Sequence, residues 1–277
     1  MSQLINFKVP ILIYQMGKVA SISIEQALRN APLSHSGQIL RTHFISDKFV
    51  HRLYAQIERN KLPESTVLSI QKQIQDAKKA QHVLASNRVK IITGVREPCS
   101  HAIASFFQNL QRNVEGHLDE EWKPLKSGKI QDDLMEAIYR GWQERTKQIA
   151  CDPTNAISWF DYEFGPVTGI DIYKYPFDHD KGYLILRSGR IDLLVYKLEN
   201  GSENIERALS EFFNIPDVLL KRENAGIDKP YSSYYKKFIN TINVPSDFLN
   251  LLYDSKYVKH FYTPKEVTAF RQKWEKS

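Results

Sequence analysis

A short apolar strand runs into a small-residue turn and then a helix, and this order restricts the fold more than any other feature. The apolar run is Val9 to Tyr14, and after it come Gly17-Lys18-Val19-Ala20-Ser21-Ile22-Ser23. Such a turn points backbone N–H groups beyond the sheet edge, and the helix start adds a favourable field for an anion. Lys18 can reach a phosphate, and the two serines can donate hydrogen bonds. The segment predicts a phosphate-binding loop, although serines that merely cap a helix would give the same residues.

The predicted loop differs from the loop of ATP-binding proteins. That loop has a glycine five positions before its Gly-Lys pair and a hydroxyl residue directly after the lysine, which binds Mg²⁺. Here Leu12 and Val19 occupy those two positions. We therefore expect a nucleotide site without a metal ion.

Two further apolar runs, Val89 to Val95 and Asp192 to Leu198, are typical of buried parallel strands. Helical periodicity marks the segments Asp47 to Asn60, Glu64 to Ala85, Cys99 to Arg112, Ile130 to Ile149 and Ser202 to Asn214. The alternation predicts an α/β fold, a three-layer sandwich with a central, mostly parallel sheet and helices on both faces. Gly182 to Glu199 could instead form a hairpin turning at Ser188-Gly189. No linker or repeat interrupts the chain, so we expect one domain over residues 1–277.

A second set of polar residues follows the second strand. Arg96 ends it, and Pro98 sits where a helix can begin. Ligands of α/β sheets bind at the carboxyl ends of the strands, and a guanidinium matches a phosphate dianion. A surface arginine paired with Glu97 is the alternative. Together, Lys18 and Arg96 predict a ligand with two separated phosphate groups.

These residues resemble the sulfotransferases that use 3′-phosphoadenosine 5′-phosphosulfate (PAPS). The segment from Gly17 to Ser23 resembles their 5′-phosphosulfate loop, K-x-G-[ST]-[ST], with Ile22 at a position where a hydroxyl is usual. Val95-Arg96-Glu97-Pro98 resembles their 3′-phosphate element, in which a serine follows the arginine by eight residues; here Ala104 holds that position and Ser105 comes next. The resemblance implies a P-loop-like fold, PAPS as the donor and no metal.

Later segments are similar to a bacterial group of capsular polysaccharide synthesis proteins. They include Trp159-Phe160-Asp161-Tyr162-Glu163-Phe164, Leu198-Glu199 and Asp228-Lys229-Pro230-Tyr231-Ser232, and the similarity runs from about Ile11 to Phe238. It implies a carbohydrate acceptor. A late basic loop covers the nucleotide in sulfotransferases, which makes Lys229 a candidate contact.

Sulfuryl transfer needs a base for the acceptor hydroxyl, and histidine suits that task near neutral pH. Arg41-Thr42-His43-Phe44 resembles the H-x-H-[FL] element of uronosyl 2-O-sulfotransferases, and this resemblance implies His43 as the base. His35, His101 and Glu25 are alternatives. Lys18 is expected to act in catalysis as well, by neutralising charge on the leaving phosphate.

The composition limits the partners and the compartment. The net charge of +6 is modest and spread along the chain, which suits an anionic ligand more than nucleic acid. The two cysteines form no metal-ligand spacing, and neither a signal peptide nor a membrane-spanning run is evident. We therefore expect a cytoplasmic protein without stable membrane insertion. The acceptor's identity, the choice between O- and N-sulfation and the oligomeric state stay open.

Two other functions compete with sulfuryl transfer. Asp178-His179-Asp180 fits the D-x-D pattern of metal-dependent nucleotide-sugar glycosyltransferases, although its surroundings favour a turn. A non-catalytic protein that binds polyanions would also explain the basic charge.

Overall fold

The structure is a computed structural model that describes residues 9–31, 38–59, 62–86, 88–114, 130–149, 152, 155–216, 218–221 and 229–275. Within these residues the elements follow in the order β1 (Ile11–Tyr14), α1 (Ser21–Asn30), β2 (Ile39–Thr42), α2 (Asp47–Arg59), α3 (Glu64–Leu84), β3 (Val89–Val95), α4 (Pro98–Gln108), α5 (Leu110–Asn113), α6 (Ile130–Ile149), α7 (Gly165–Thr168), β4 (Tyr183–Ser188), β5 (Ile191–Lys197), α8 (Gly201–Phe213), α9 (Ser232–Thr241), α10 (Ser246–Tyr253), α11 (Lys256–Phe261) and α12 (Pro264–Trp274). A π-helical turn, Phe160–Phe164, precedes α7.

The strands form one mixed sheet in the order β2-β1-β3-β5-β4. β1 pairs in parallel with β2 and β3, and β3 pairs in parallel with β5. β4 pairs with β5 in the antiparallel sense and lies at the edge. Since the other four strands point the same way, their carboxyl ends lie at one edge of the sheet. The prediction of a mostly parallel α/β sheet is confirmed.

The predicted strands and helices agree closely with the structure. β3 has the predicted bounds, while β1 begins two residues later and β5 begins one residue earlier than expected. The hairpin interpretation is confirmed, because β4 turns through Gly189 into β5. β2 was not predicted, since a four-residue strand that contains a charged residue gives too little pattern.

The chain forms two compact units. The first combines Met1–Arg96 with Trp159–Lys221 and contains the sheet, and the second combines Glu97–Ser158 with Arg222–Ser277. In its described residues the second unit is helical. The expectation of one domain stays a prediction.

In the first unit, α1 and α8 cover one face of the sheet. Their apolar side chains form a buried cluster with alternate residues of the strands, among them Ile11, Ile13 and Leu194. Tyr14 points to the opposite face, because side chains alternate along a strand. There its ring packs against Trp159 and Phe164, with centroid distances of 5.1 and 5.7 Å. Both faces of β1 are therefore buried, as its continuous apolar run predicts.

The second unit has a core of aromatic rings and a buried carboxylate. Phe106, Trp142 and Phe238 pack with centroid distances of 5.7 to 6.4 Å. Glu97 accepts hydrogen bonds from the first backbone N–H groups of α4 and, at 2.7 Å, from the Tyr253 hydroxyl. Glu97 therefore caps the helix that Pro98 begins. Across the described residues, no helix is both long and apolar enough to cross a bilayer.

Candidate functional site

The carboxyl edge of the sheet brings several predicted residues close together. Gln15 and the loop after it follow β1, His43 follows β2, and Arg96 follows β3. These strands are neighbours in the sheet and run in the same direction. Open α/β sheets bind their ligands at this edge, so this edge is the candidate site.

The loop between β1 and α1 has an unusual backbone. Lys18 and Ala20 both have left-handed conformations, with φ of 65° and 64°. Non-glycine residues adopt this region at a cost, and such outliers occur most often at functional sites. Ala20 is also the N-cap of α1, and its methyl group cannot cap the helix as a serine or aspartate would. The first N–H groups of α1 are therefore suited to an external anion.

Buried side chains support this loop from below. Gln15 Nε2 donates to the carbonyl of Val19 at 3.3 Å, and the Tyr196 hydroxyl donates to Gln15 Oε1 at 2.9 Å and also contacts the Val19 carbonyl. Tyr196 fits there because its neighbour in β3 is Gly94. A Cβ atom at Gly94 would lie 2.5 Å from the Tyr196 ring. Burial raises the pKa of Tyr196 far above its ordinary range, so the hydroxyl stays a neutral donor.

Arg96 lies against the same loop. Its Nη1 atom donates to the carbonyl of Lys18 at 3.0 Å. The guanidinium that the sequence assigns to one phosphate therefore contacts the backbone of the loop that the sequence assigns to the other. The contact holds the positive charge of Arg96 at this loop. The roles of Lys18 and Arg96 toward a nucleotide stay predictions.

His43 is held from two sides. Its Nδ1 atom lies 2.8 Å from the carbonyl oxygen of Gln15, and its own carbonyl accepts a hydrogen bond from Trp159 Nε1 at 3.0 Å. Because a carbonyl can only accept, Nδ1 carries the proton and Nε2 is the basic nitrogen of the neutral ring. Burial lowers the pKa of His43, and the charges of Arg41 and Lys18 lower it further, against the opposing effect of the Gln15 contact. The ring is therefore neutral near pH 7 and suited to accept a proton.

Glu163 anchors the segment after His43. The buried carboxylate accepts hydrogen bonds from the Tyr14 hydroxyl at 2.8 Å, from the backbone N–H groups of Ile45 and Ser46, and from the Ser46 hydroxyl. Hydrogen bonds to a carboxylate are stronger than those to a neutral acceptor. The Glu163 carboxylate connects the π-helical turn with β1 and with the segment after β2. Sequence reasoning did not assign Glu163 a role. The sequence feature that could have identified it is an acidic residue within a segment of four aromatic residues, Trp159 to Phe164.

The alternatives to His43 as the base have other environments. Burial raises the pKa of Glu25, but hydrogen bonds from Arg29 at 2.8 Å and Arg41 at 2.7 Å outweigh burial and hold it below its usual value. A carboxylate paired in this way is a poor proton acceptor. His101 is buried in α4 of the second unit, and His35 lies outside the described residues.

The remaining predicted contacts divide between the two units. Ser21 and Ser23 lie in the first turn of α1, where Ser23 is buried and Ile22 between them is exposed. Ser105 is half-buried in α4, and Lys229 is half-buried just before α9, so both belong to the second unit. Their contact with a nucleotide stays a prediction.

Lys197 is a further cation at the carboxyl edge that the sequence reasoning missed. It ends β5, in register with Val95 of β3, and only 1% of its surface is exposed. Its Nζ atom lies 6.0 Å from the centre of the Phe177 ring. A lysine at the end of a buried strand was the signal that could have identified it.

The D-x-D segment forms a turn, as its surroundings favour. The Asp178 carboxylate accepts a hydrogen bond from the backbone N–H of Lys181 at 2.8 Å. The Asp178 carbonyl accepts one from the backbone N–H of Gly182, also at 2.8 Å. No group of three or more acidic, histidine or cysteine side chains in the described residues is arranged to hold a metal ion.

Comparison with known proteins gives one partial similarity. A family model described as "NKWYS: Putative capsular polysaccharide synthesis protein" matches residues 142–263. No curated protein and no solved structure matches the chain. The matched range includes Trp159, Glu163 and Lys197, whereas Lys18, His43 and Arg96 precede it. The similarity to this family therefore covers Trp159, which donates a hydrogen bond to the His43 carbonyl. The matched range does not include the loop from Gly17 to Ser23.

Proposed function

We propose that this protein is an enzyme that transfers a sulfuryl group from PAPS to a hydroxyl group of a saccharide. The observation that carries the proposal is the contact between Arg96 and the backbone of Lys18, beside a histidine whose basic nitrogen is Nε2. Two cations and a neutral base at one sheet edge suit a reaction that needs charge neutralisation and one proton transfer.

In this proposal the donor binds across the loop and the start of α1, in a P-loop-like arrangement. The backbone N–H groups and hydroxyls of Gly17 to Ser23, with the Lys18 ammonium, hold the 5′-phosphosulfate. Arg96 holds the 3′-phosphate. No metal ion takes part.

The chemical step is a direct in-line transfer. The acceptor oxygen attacks sulfur while His43 Nε2 takes the hydroxyl proton, and the S–O bond to the 5′-phosphate breaks. Lys18 neutralises the charge that develops on that phosphate. The products are a sulfate ester and adenosine 3′,5′-bisphosphate, and the histidine later returns its proton to solvent.

The family similarity supports a saccharide as acceptor, since its description concerns capsular polysaccharide synthesis. The same description favours a second candidate, a nucleotide-sugar glycosyltransferase. The two functions differ in the nucleotide they bind, so the donor decides between them.

The test is titration calorimetry with adenosine 3′,5′-bisphosphate, 5′-AMP and UDP, each with and without Mg²⁺. We expect the bisphosphate to bind without metal and at least tenfold more tightly than AMP, because AMP lacks the phosphate assigned to Arg96. Lys18→Ala and Arg96→Ala should each weaken bisphosphate binding by tenfold or more. Lys72→Ala, an exposed lysine of α3, is the matched control and should change nothing.

Other outcomes contradict the proposal. Equal affinity for the bisphosphate and AMP would show that the protein does not recognise the 3′-phosphate. Mg²⁺-dependent preference for UDP supports the glycosyltransferase. Binding that depends on salt but not on the nucleotide indicates a general polyanion-binding protein.

A further inference from the structure

A row of neighbouring side chains leads away from His43 to an exposed arginine. The His43 and Phe44 rings are 6.5 Å apart, and the Phe44 and Phe49 rings are stacked at 4.2 Å. The Arg52 guanidinium lies over the Phe49 ring, 5.3 Å from its centre. We call His43, Phe44, Phe49 and Arg52 the aromatic row. It connects the candidate base with a cation on the surface of α2.

Phe49 in the aromatic row is held by packing and by a hydrogen bond to the segment after His43. Phe49 packs against the buried cluster between α2 and α3, which includes Leu53 and Ile74. The backbone N–H of Phe49 donates to the Ser46 hydroxyl at 3.2 Å, and Ser46 is bound by Glu163. A guanidinium over an aromatic face is partly ordered before it meets a ligand, which lowers the cost of binding.

The surface beside Arg52 is basic. Lys48, His51 and Arg52 are exposed, and their spacing of three and four residues places them on one face of α2. The neighbouring acid, Asp47, accepts a hydrogen bond from Gln81 at 2.9 Å. Lys48 and Arg52 give this face two cations against the single carboxylate of Asp47, so the face favours an anionic group.

We infer that the acceptor is an acidic saccharide, whose carboxylate or sulfate group binds Arg52 while a hydroxyl of a neighbouring sugar unit lies at His43. The inference rests on the proposed function and names the substrate class of that same site. A planar guanidinium binds a carboxylate or sulfate through two parallel hydrogen bonds, which an ammonium cannot do. Because the rings of Phe44 and Phe49 lie between Arg52 and His43, the anionic group belongs to a different sugar unit from the reacting hydroxyl.

The probe is oligogalacturonate, compared with its methyl ester, which has the same rings without the charge. Titrations use protein saturated with adenosine 3′,5′-bisphosphate, so that the donor side is occupied. We expect oligogalacturonate to bind wild type at least tenfold more tightly than the ester does. Arg52→Ala should remove that preference, and Arg52→Lys should recover only part of it.

Two further variants separate orientation from charge. Phe49→Leu keeps Arg52 and an apolar side chain but removes the ring. It should weaken the binding of oligogalacturonate and leave the affinity for the ester unchanged. Lys72→Ala removes an exposed cation of α3 and should leave both affinities as in wild type.

The results distinguish this inference from the proposed function. If wild type binds the bisphosphate but discriminates poorly between oligogalacturonate and ester, or if Arg52→Ala keeps the preference, the inference is wrong and the sulfotransferase proposal stands. If wild type fails to bind the bisphosphate, the proposed function is wrong. In that case the titrations are repeated without nucleotide, and an Arg52-dependent preference would identify the aromatic row as an acidic-saccharide site independent of sulfuryl transfer.

Discussion

His43 is a single residue whose chemistry is set by three neighbours. The Gln15 carbonyl fixes the proton on Nδ1, and burial with the charges of Arg41 and Lys18 lowers the pKa. A histidine with a lowered pKa is neutral at higher pH and becomes charged as the pH falls through that value. The basic nitrogen is therefore available at neutral pH and lost under acid conditions, below the ordinary histidine pKa of about 6.5.

Arg41→Gln tests this electrostatic control. Removing the positive charge should raise the pKa of His43 toward its ordinary value, since Arg41 disfavours the imidazolium. The measurement is an NMR titration of the His43 ring protons, assigned with His43→Gln. Arg41→Lys keeps the charge and should leave the titration close to that of wild type. A pKa unchanged or lowered in Arg41→Gln would show that Arg41 does not control the ring.

At the scale of elements, Glu163 determines where the segment after β2 lies. The π-helical turn presents the carboxylate, and β1 and the Ile45–Ser46 backbone supply the donors. π-Helical turns are rare and occur often at functional sites. Here the turn places one buried acceptor where three chain segments meet.

Glu163→Gln should destabilise the protein by about 2–4 kcal/mol, because the amide nitrogen faces donors that lose their acceptor. Urea unfolding measures the loss as a lower midpoint with an unchanged slope. Glu136→Gln, the same change on an exposed face of α6, is the control and should lie within about 0.5 kcal/mol of wild type. A small effect of Glu163→Gln would mean that its hydrogen bonds contribute little.

At the scale of the whole molecule, neither compact unit is continuous in sequence. The sheet of the first unit needs β5, which follows β3 in space but comes about a hundred residues later in the chain. β3 pairs with β5 over seven residues, Val89 to Val95. Long-range pairing of this kind makes the sheet dependent on distant parts of the chain.

A fragment of residues 1–158 tests this dependence. Without β4 and β5 the fully buried β3 becomes an exposed apolar edge, so the fragment should lack a cooperative unfolding transition and should aggregate. Coexpression with residues 159–277 should restore soluble protein. Circular dichroism during urea unfolding is the measurement, and a sharp transition of the fragment alone would contradict the expectation.

The elements that sequence reasoning predicted are those with strong local patterns. β3 and α6 have the expected bounds, and the turn after β1 lies where the small residues indicated. Their signals are local, because apolar runs, helical periodicity and small-residue turns are visible within a few neighbours. β2 was missed because four half-buried residues carry little pattern. Glu163 and Lys197 were not assigned roles because their importance comes from partners far along the chain.

By itself, the sequence determined the α/β class, the strand–loop–helix unit and the residue types available at the sheet edge, since each follows from short-range pattern and composition. Only the tertiary structure decided that β2, β1 and β3 are neighbours, that Arg96 contacts the backbone of Lys18, and that Gln15 fixes the tautomer of His43. These contacts join residues 28 and 78 positions apart. They depend on strand order and register, which many sequences with the same local patterns could satisfy in different ways.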